Sequence, residues 1–277
     1  MNGFPLRGES GVRARAILAG EIAPAPARDA ATVVLLRACG PGVEVYLLRR
    51  ATSMSFAAGA YVFPGGGVDP RDADRRVAWA GPSPEVWARA FGADVTTARG
   101  LVCAAVRETF EESGVLLAGP SPDTLVADTT GDDWEADREA LIARELSLAE
   151  FLDRRGLVLR TDLLRPWAHW ITPDVESKRF DTRFFVAALP PGQRTRDVGG
   201  EADQVAWMRP GEALRRAEAG EIFLMSPTIR TLTEIAAFED VASVLASERR
   251  VVTFRPHVAE VEGEMWLFIP EGHDGVS

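Results

Sequence analysis

Thiols, lysines and long apolar runs are scarce in this chain. Only two cysteines occur in 277 residues: Cys39 sits in an apolar run, and Cys103 falls on the apolar side of a helix-like segment. Two such residues read as small buried hydrophobes and exclude a disulfide framework. Lys178 is the only lysine, so arginine supplies nearly all of the 31 basic residues. That skew, with abundant alanine, points to a GC-rich bacterial genome. No stretch approaches the roughly 18 unbroken apolar residues of a membrane span, and no charged start leads into an apolar secretory segment. Neither a membrane nor a secretory route is expected, and the expected location is cytoplasmic. The formal net charge of −10 excludes a nucleic-acid surface that works by bulk attraction. Anionic substrates stay open, because bound divalent cations reverse a local field.

What is present suits a globular protein with one substantial core: 46% hydrophobic and 26% charged residues. Residues 1–29 carry scattered charges and end in "APAPAR", which predicts a mobile tail. "ATVVLLRAC" and "VEVYLLRRA" are β-rich runs around "GPG" and predict a hairpin; "GAYVFPGGG" predicts a short strand breaking into a glycine loop. Ser83-Pro84 starts a short helix bearing Trp87 and Phe91. Helix is expected within 137–155, then strands in "LLRPWAHWIT", "FDTRFFVAAL" and "EADQVAWMRP". Two helices follow Pro210, and a last hairpin turns at Glu262-Gly263. The class is α+β, divided as tail 1–29, main domain 30–210, and a helical and β extension 211–277.

One nine-residue stretch stands out. In "RETFEESGV", Glu108, Glu111 and Glu112 fall at i, i+3 and i+4, on one helix face. Val102, Cys103, Val106 and Phe110 fill the opposite sector, and Gly114 is placed to end the helix. Acidic clusters on helices are usually solvated surface. The glycine loop supplies another context, since Gly65, Gly66 and Gly67 let a main chain approach an ion or ligand closely. Carbonyl and carboxylate oxygens together suit hard divalent cations.

These two segments resemble the halves of the Nudix hydrolase box. "RETFEESGV" matches Arg-Glu-aliphatic-x-Glu-Glu-x-Gly-aliphatic except at Thr109, where an aliphatic residue is usual. "FPGGGVDPRD" matches the opening half, with Gly66 as its glycine and Asp72 where the family has glutamate. Asp72 and Arg107 lie 35 positions apart where the family needs eight, so about 27 residues, at roughly 73–99, are inserted. The branch containing the peroxisomal coenzyme A diphosphatases of mammals looks similar, with a long insertion at the same place. "LLRR", "WITP" and "RFDTRFF" also resemble that branch.

The resemblance implies a mixed β-sheet sandwiched between helices and a metal-dependent attack of water on a diphosphate. It implies Mg²⁺ or Mn²⁺ held by Glu111, Glu112 and the Gly65 carbonyl, with Glu108 as ligand or general base. Arg107 would orient the carboxylates. A further carboxylate is expected from Glu201 or Asp203, with Glu176 a weaker candidate. Arg50, Gly66, Arg179 and Arg183 are the candidate substrate contacts. The upstream coenzyme A motif is met at Leu47, Arg50, Ala51 and Gly59, with Leu48 in place of threonine and Ser55 in place of the central arginine. The implied substrate is coenzyme A or acyl-CoA. Alternatives are ADP-ribose, a dinucleotide or a sugar nucleotide, and a catalytically silent ligand sensor. A homodimer is among the expected states. The terminal "DGVS" does not resemble a peroxisomal address. His169 is expected to be packed, sharing a strand face with Trp167 and Ile171. His257 and His273 show no partner pattern. Trp79 and Trp87 are expected in a small satellite core.

Overall fold

Successive residues of "VVLL" are all apolar, so this strand must be covered on both faces. In the computed structural model, which describes residues 2–51, 57–196 and 202–270, it is. The chain opens with β1 (Asn2–Pro5), α1 (Gly8–Leu18), β2 (Ala27–Ala38), β3 (Val43–Arg50), β4 (Ala60–Val62) and β5 (Gly65–Gly67). A 3-10 turn over Pro70–Ala73 leads to β6 (Trp79–Ala80), α2 (Pro84–Phe91) and α3 (Val95–Ser113). Then come β7 (Ala118–Gly119), α4 (Asp132–Ile142), α5 (Leu148–Arg155), β8 (Val158–Arg160), β9 (Arg165–Ile171), β10 (Arg179–Ala188) and β11 (Ala202–Met208). The last part holds α6 (Pro210–Glu218), β12 (Phe223–Leu224), α7 (Ser226–Ile235), α8 (Val241–Ala246), β13 (Thr253–Phe254), β14 (His257–Val261) and β15 (Glu264–Ile269).

The main sheet runs β12, β4, β3, β2, β10, β9, β13, with β11 added to β3 and β5 to β2. β2 is its axis. It pairs parallel with β10, antiparallel with β3 at Leu36↔Val45, and antiparallel with β5 at Ala31↔Gly66. Ala31, Val33 and Leu35 pack on one face with residues of α2, α3 and α5. Val34 and Leu36 pack on the other with residues of α6, α7 and α8. The expected mixed sheet between helices is therefore present. No helix among the described residues is long and apolar enough to cross a membrane.

Three expectations need correction. Residues 1–29 are not a loose tail: β1 pairs with β15 (Gly3↔Phe268), α1 buries Ala14 beside Met265 and Val175, and β2 already begins at Ala27. The stabilising partner lies at the far end of the chain, where no local pattern announces it. The insertion is not a satellite either. Trp87 and Phe91 lie in the main core, with ring centroids 5.5 and 5.1 Å from Phe185. Finally, His169 does not share a packing layer with Trp167. The β9–β10 register shifts at Phe184/Phe185, and Trp167 joins Trp170 in the core under α6–α8. Such a bulge breaks the alternation on which that expectation relied. His169 is buried, as expected, between the Asp181 carboxylate at Nε2 and the Thr253 hydroxyl at Nδ1.

Candidate active site on helix α3

α3 starts at Asp94, whose side chain accepts from the Thr97 N–H, and ends at Gly114 in the left-handed region (φ 72°). Its middle is more enclosed than an amphipathic stripe requires: Leu101 to Val106 are all fully buried. Thr109 is buried as well. Its hydroxyl donates to the Ala105 carbonyl one turn back, at 2.7 Å, so its polar group is satisfied where relatives carry an aliphatic side chain.

The last turns carry the carboxylates, and the glycine loop meets them there. The Gly65 N–H donates to Glu112 Oε2 at 2.7 Å. A Cβ at Gly66 would lie 2.5 Å from the Glu108 carboxylate, so no larger residue fits without displacing it. Arg107 completes the closure. Its guanidinium holds both Asp72 oxygens (3.0 and 2.9 Å), the Gly67 carbonyl (2.9 Å), Glu108 Oε1 (2.8 Å) and Glu111 Oε1 (3.1 Å). Asp72 also accepts from the Asp69 N–H at 2.8 Å, closing a capping box at the start of the 3-10 turn. The two box segments thus meet in space across the insertion, and Asp72 does its work through Arg107.

Three carboxylates surround one guanidinium, and water reaches them poorly. The Glu108, Glu111 and Arg107 side chains are 12, 11 and 11% exposed, and that of Asp72 is 2%. Burial raises Asp72 and Glu111 above the ordinary carboxyl range, with Arg107 opposing. Burial and the neighbouring Glu111 charge push Glu108 up to about 7, again against Arg107. Among the described residues, no three acidic, imidazole or thiol groups converge as a ready-made metal cluster. The donor chemistry nevertheless fits a hard divalent ion: the side-chain donors are carboxylate oxygens, with three of them sharing the Arg107 guanidinium.

A pH dependence of stability follows. Glu108 takes up its proton more readily folded than unfolded. It therefore favours folding fully below pH 4.5 and loses that contribution as pH rises to about 7. Metal-free protein should lose about 2 kcal/mol from this group, or about 4–8 °C in Tm, between pH 5 and 7.5. Glu108→Gln should flatten the slope in thermal denaturation. Equal slopes in parent and variant would refute this account.

The remaining candidates are distributed unevenly. By the alternation of β3, Arg50 lies on the same face as Tyr46 and Leu48, the face that meets α3. Arg179 is buried and donates to the Thr172 and Ala25 carbonyls while pairing with Asp174. Arg183 is buried, pairs with Asp181, and lies across β2 from Gly66, both being register partners of Ala31. Both arginines are thus engaged by the fold. Glu201, Ser55 and His273 lie outside the described residues, as does the side chain of Asp203 on β11. Glu176 lies in the turn before β10. Sequence reading overlooked Arg138 on α4, which donates to the Glu111 carbonyl; its i,i+3 spacing from Glu135 was the only local signal.

Comparison with known proteins agrees with this geometry. The family model described as the NUDT19 Nudix domain matches residues 88–235, just over half of the chain. The chain is 26% identical over 228 residues to the acyl-coenzyme A diphosphatase NUDT19 of Xenopus laevis, covering 70% of this chain and 60% of that protein. It is 29% identical over 213 residues to the putative nudix hydrolase 7 of Caenorhabditis elegans, covering 77% and 62%. The chain thus spans about three-fifths of the length of these relatives. The crystal structure of a Nudix hydrolase from Alicyclobacillus acidocaldarius superposes with a TM-score of 0.67 at 29% identity, covering 81% of this chain and 98% of that one. With that match and both halves of the box in contact, the chain belongs to the Nudix hydrolase family.

Proposed function

We propose that this protein is a metal-dependent diphosphatase that cleaves coenzyme A or acyl-CoA to 3′,5′-ADP and the corresponding phosphopantetheine. The observation that carries the reading is the closure of the glycine loop onto α3, with Gly65 bonded to Glu112 and Arg107 bridging Gly67, Asp72, Glu108 and Glu111. The long insertion and the named activity of the Xenopus relative support the substrate class.

Glu111 and Glu112, with the Gly65 carbonyl, would hold Mg²⁺ or Mn²⁺. A bound divalent ion neutralises phosphate oxygens and lowers the pKa of water. Glu108, held by Arg107 and lying against the Gly66 main chain, is placed to accept a proton from the attacking water. Arg107 keeps Glu108 and Glu111 turned toward the loop. The absence of side chains at Gly65 and Gly66 lets the loop lie directly against β2 and the Glu108 carboxylate, which sets the main chain beside the acidic cluster. Arg50 is the favoured phosphate contact by position. Arg179 and Arg183, already in ion pairs, would serve by shaping the sheet end beside the loop.

Ser55, in the place of the motif's arginine, favours a second reading in which the substrate is ADP-ribose or a related nucleoside diphosphate. An assay with Mg²⁺ and with Mn²⁺ separates the two, using coenzyme A, acyl-CoAs, NADH, ADP-ribose and sugar nucleotides, with products resolved by mass. Release of 3′,5′-ADP is expected. AMP from ADP-ribose, without cleavage of coenzyme A, would select the second reading. Turnover of none, with Mn²⁺ bound, would leave a silent sensor.

A further inference from the structure

α3 ends with the wrong charge. A helix C-terminus carries partial negative charge and prefers cations, yet the last turn of α3 holds Glu111 and Glu112 and no basic residue. The final carbonyls of a helix also need partners from outside it. Here the Gly114 N–H takes the Phe110 carbonyl and the Arg196 N–H takes that of Ser113. The Glu111 carbonyl accepts from Arg138 Nη1 at 2.6 Å. Arg138 is only 4% exposed. Its other nitrogens grip Glu135 of the same helix at 3.0 and 2.5 Å, and Glu135 in turn pairs with Arg196. Trp134 of α4 packs edge-on against Phe110 of α3 at 6.4 Å between ring centroids. The cation that the last turn of α3 lacks is thus delivered by α4 to the backbone of a glutamate proposed as a metal ligand.

We propose that Arg138 is a positioning residue for the metal-binding carboxylates. It pins the Glu111 carbonyl, which fixes the rotation of the last helical turn, so that Glu111 and Glu112 face the glycine loop together. A lysine could reach the carbonyl or Glu135 but could not grip both, because it lacks the planar fork. This role rests on the metal-dependent reading above and concerns ion binding rather than turnover.

The test is Mn²⁺ binding to the substrate-free protein, followed by the electron paramagnetic resonance of unbound Mn²⁺, with Tm recorded in parallel. Arg138→Gln should raise the Kd for Mn²⁺ about 10–100-fold, the range usual when a group that orients a ligand is removed. Arg138→Lys should show a smaller loss, about tenfold, and carries the test if Arg138→Gln does not fold. The control is Arg155→Gln, which removes ion pairs to Asp133 and Asp137 of the same helix. It should lower Tm while keeping the Kd within about twofold. Parent-like Mn²⁺ binding in both Arg138 variants would overturn the role, as would an equal loss in Arg155→Gln, which would mark a general effect of loosening α4. A parent that binds no Mn²⁺ would instead remove the metal-dependent reading, and this role with it.

Discussion

Glu112→Gln is expected to lower kcat by at least about 10³-fold, or about 4 kcal/mol of barrier, while Tm holds or rises. The two effects separate because Glu112 ties the loop in the structure and, in the proposed function, also holds the ion. Its Oε2 accepts the Gly65 N–H at 2.7 Å, and a glutamine carbonyl can accept the same bond, so the loop stays tied to the helix. What is lost is one negative charge from a crowded, poorly hydrated cluster. That loss relieves repulsion but removes the charge a divalent ion needs. Glu111→Gln should behave similarly in turnover, with a neutral oxygen left for Arg107 Nη1. Steady-state assays over a range of Mg²⁺, with circular dichroism of the same samples, read both quantities. Turnover near that of the parent in either variant would remove the assignment of these glutamates.

Arg107→Met should have the largest effect on stability, about 3–5 kcal/mol, or about 10 °C in Tm. Arg107 is the one guanidinium shared by Asp72, Glu108 and Glu111, and Asp72 is nearly inaccessible to water. Without it, the Asp72 carboxylate keeps the Asp69 N–H but loses its counter-charge. The group must then protonate or carry an unpaired buried charge. Asp72→Asn in the Arg107→Met background should recover part of the loss, because the unpaired charge is removed. Two residues in direct contact are not expected to act additively. A loss below about 1 kcal/mol, or purely additive effects, would show that Arg107 is not the clasp of the box.

Much of the site could be read before the fold was known, for a specific reason. A helix repeats its geometry every few residues, so the spacing of Glu108, Glu111 and Glu112 already places them on one face. Gly114 likewise marks the end of α3 by its own conformational freedom. The hairpin of β2 and β3 and that of β14 and β15 were legible because both partners are close in the chain. Arg179 and Arg183 illustrate the opposite case. As isolated cations near "FDT" they looked available for phosphate, yet Asp174 and Asp181, with the carbonyls of Ala25 and Thr172, engage them in the fold.

By itself, then, the sequence determined the local elements and the chemistry they carry: the acidic helix face, the permissive loop and the α+β class. Tertiary structure alone decided which distant pieces complete them. It paired Asn2 with Ile269, set Trp87 and Phe91 of the insertion against Phe185, and brought Arg138 to the Glu111 carbonyl. Local order follows from backbone geometry and repeats along the chain, whereas these contacts depend on which apolar faces and unpaired backbone groups meet when the whole core closes. No short stretch carries that information.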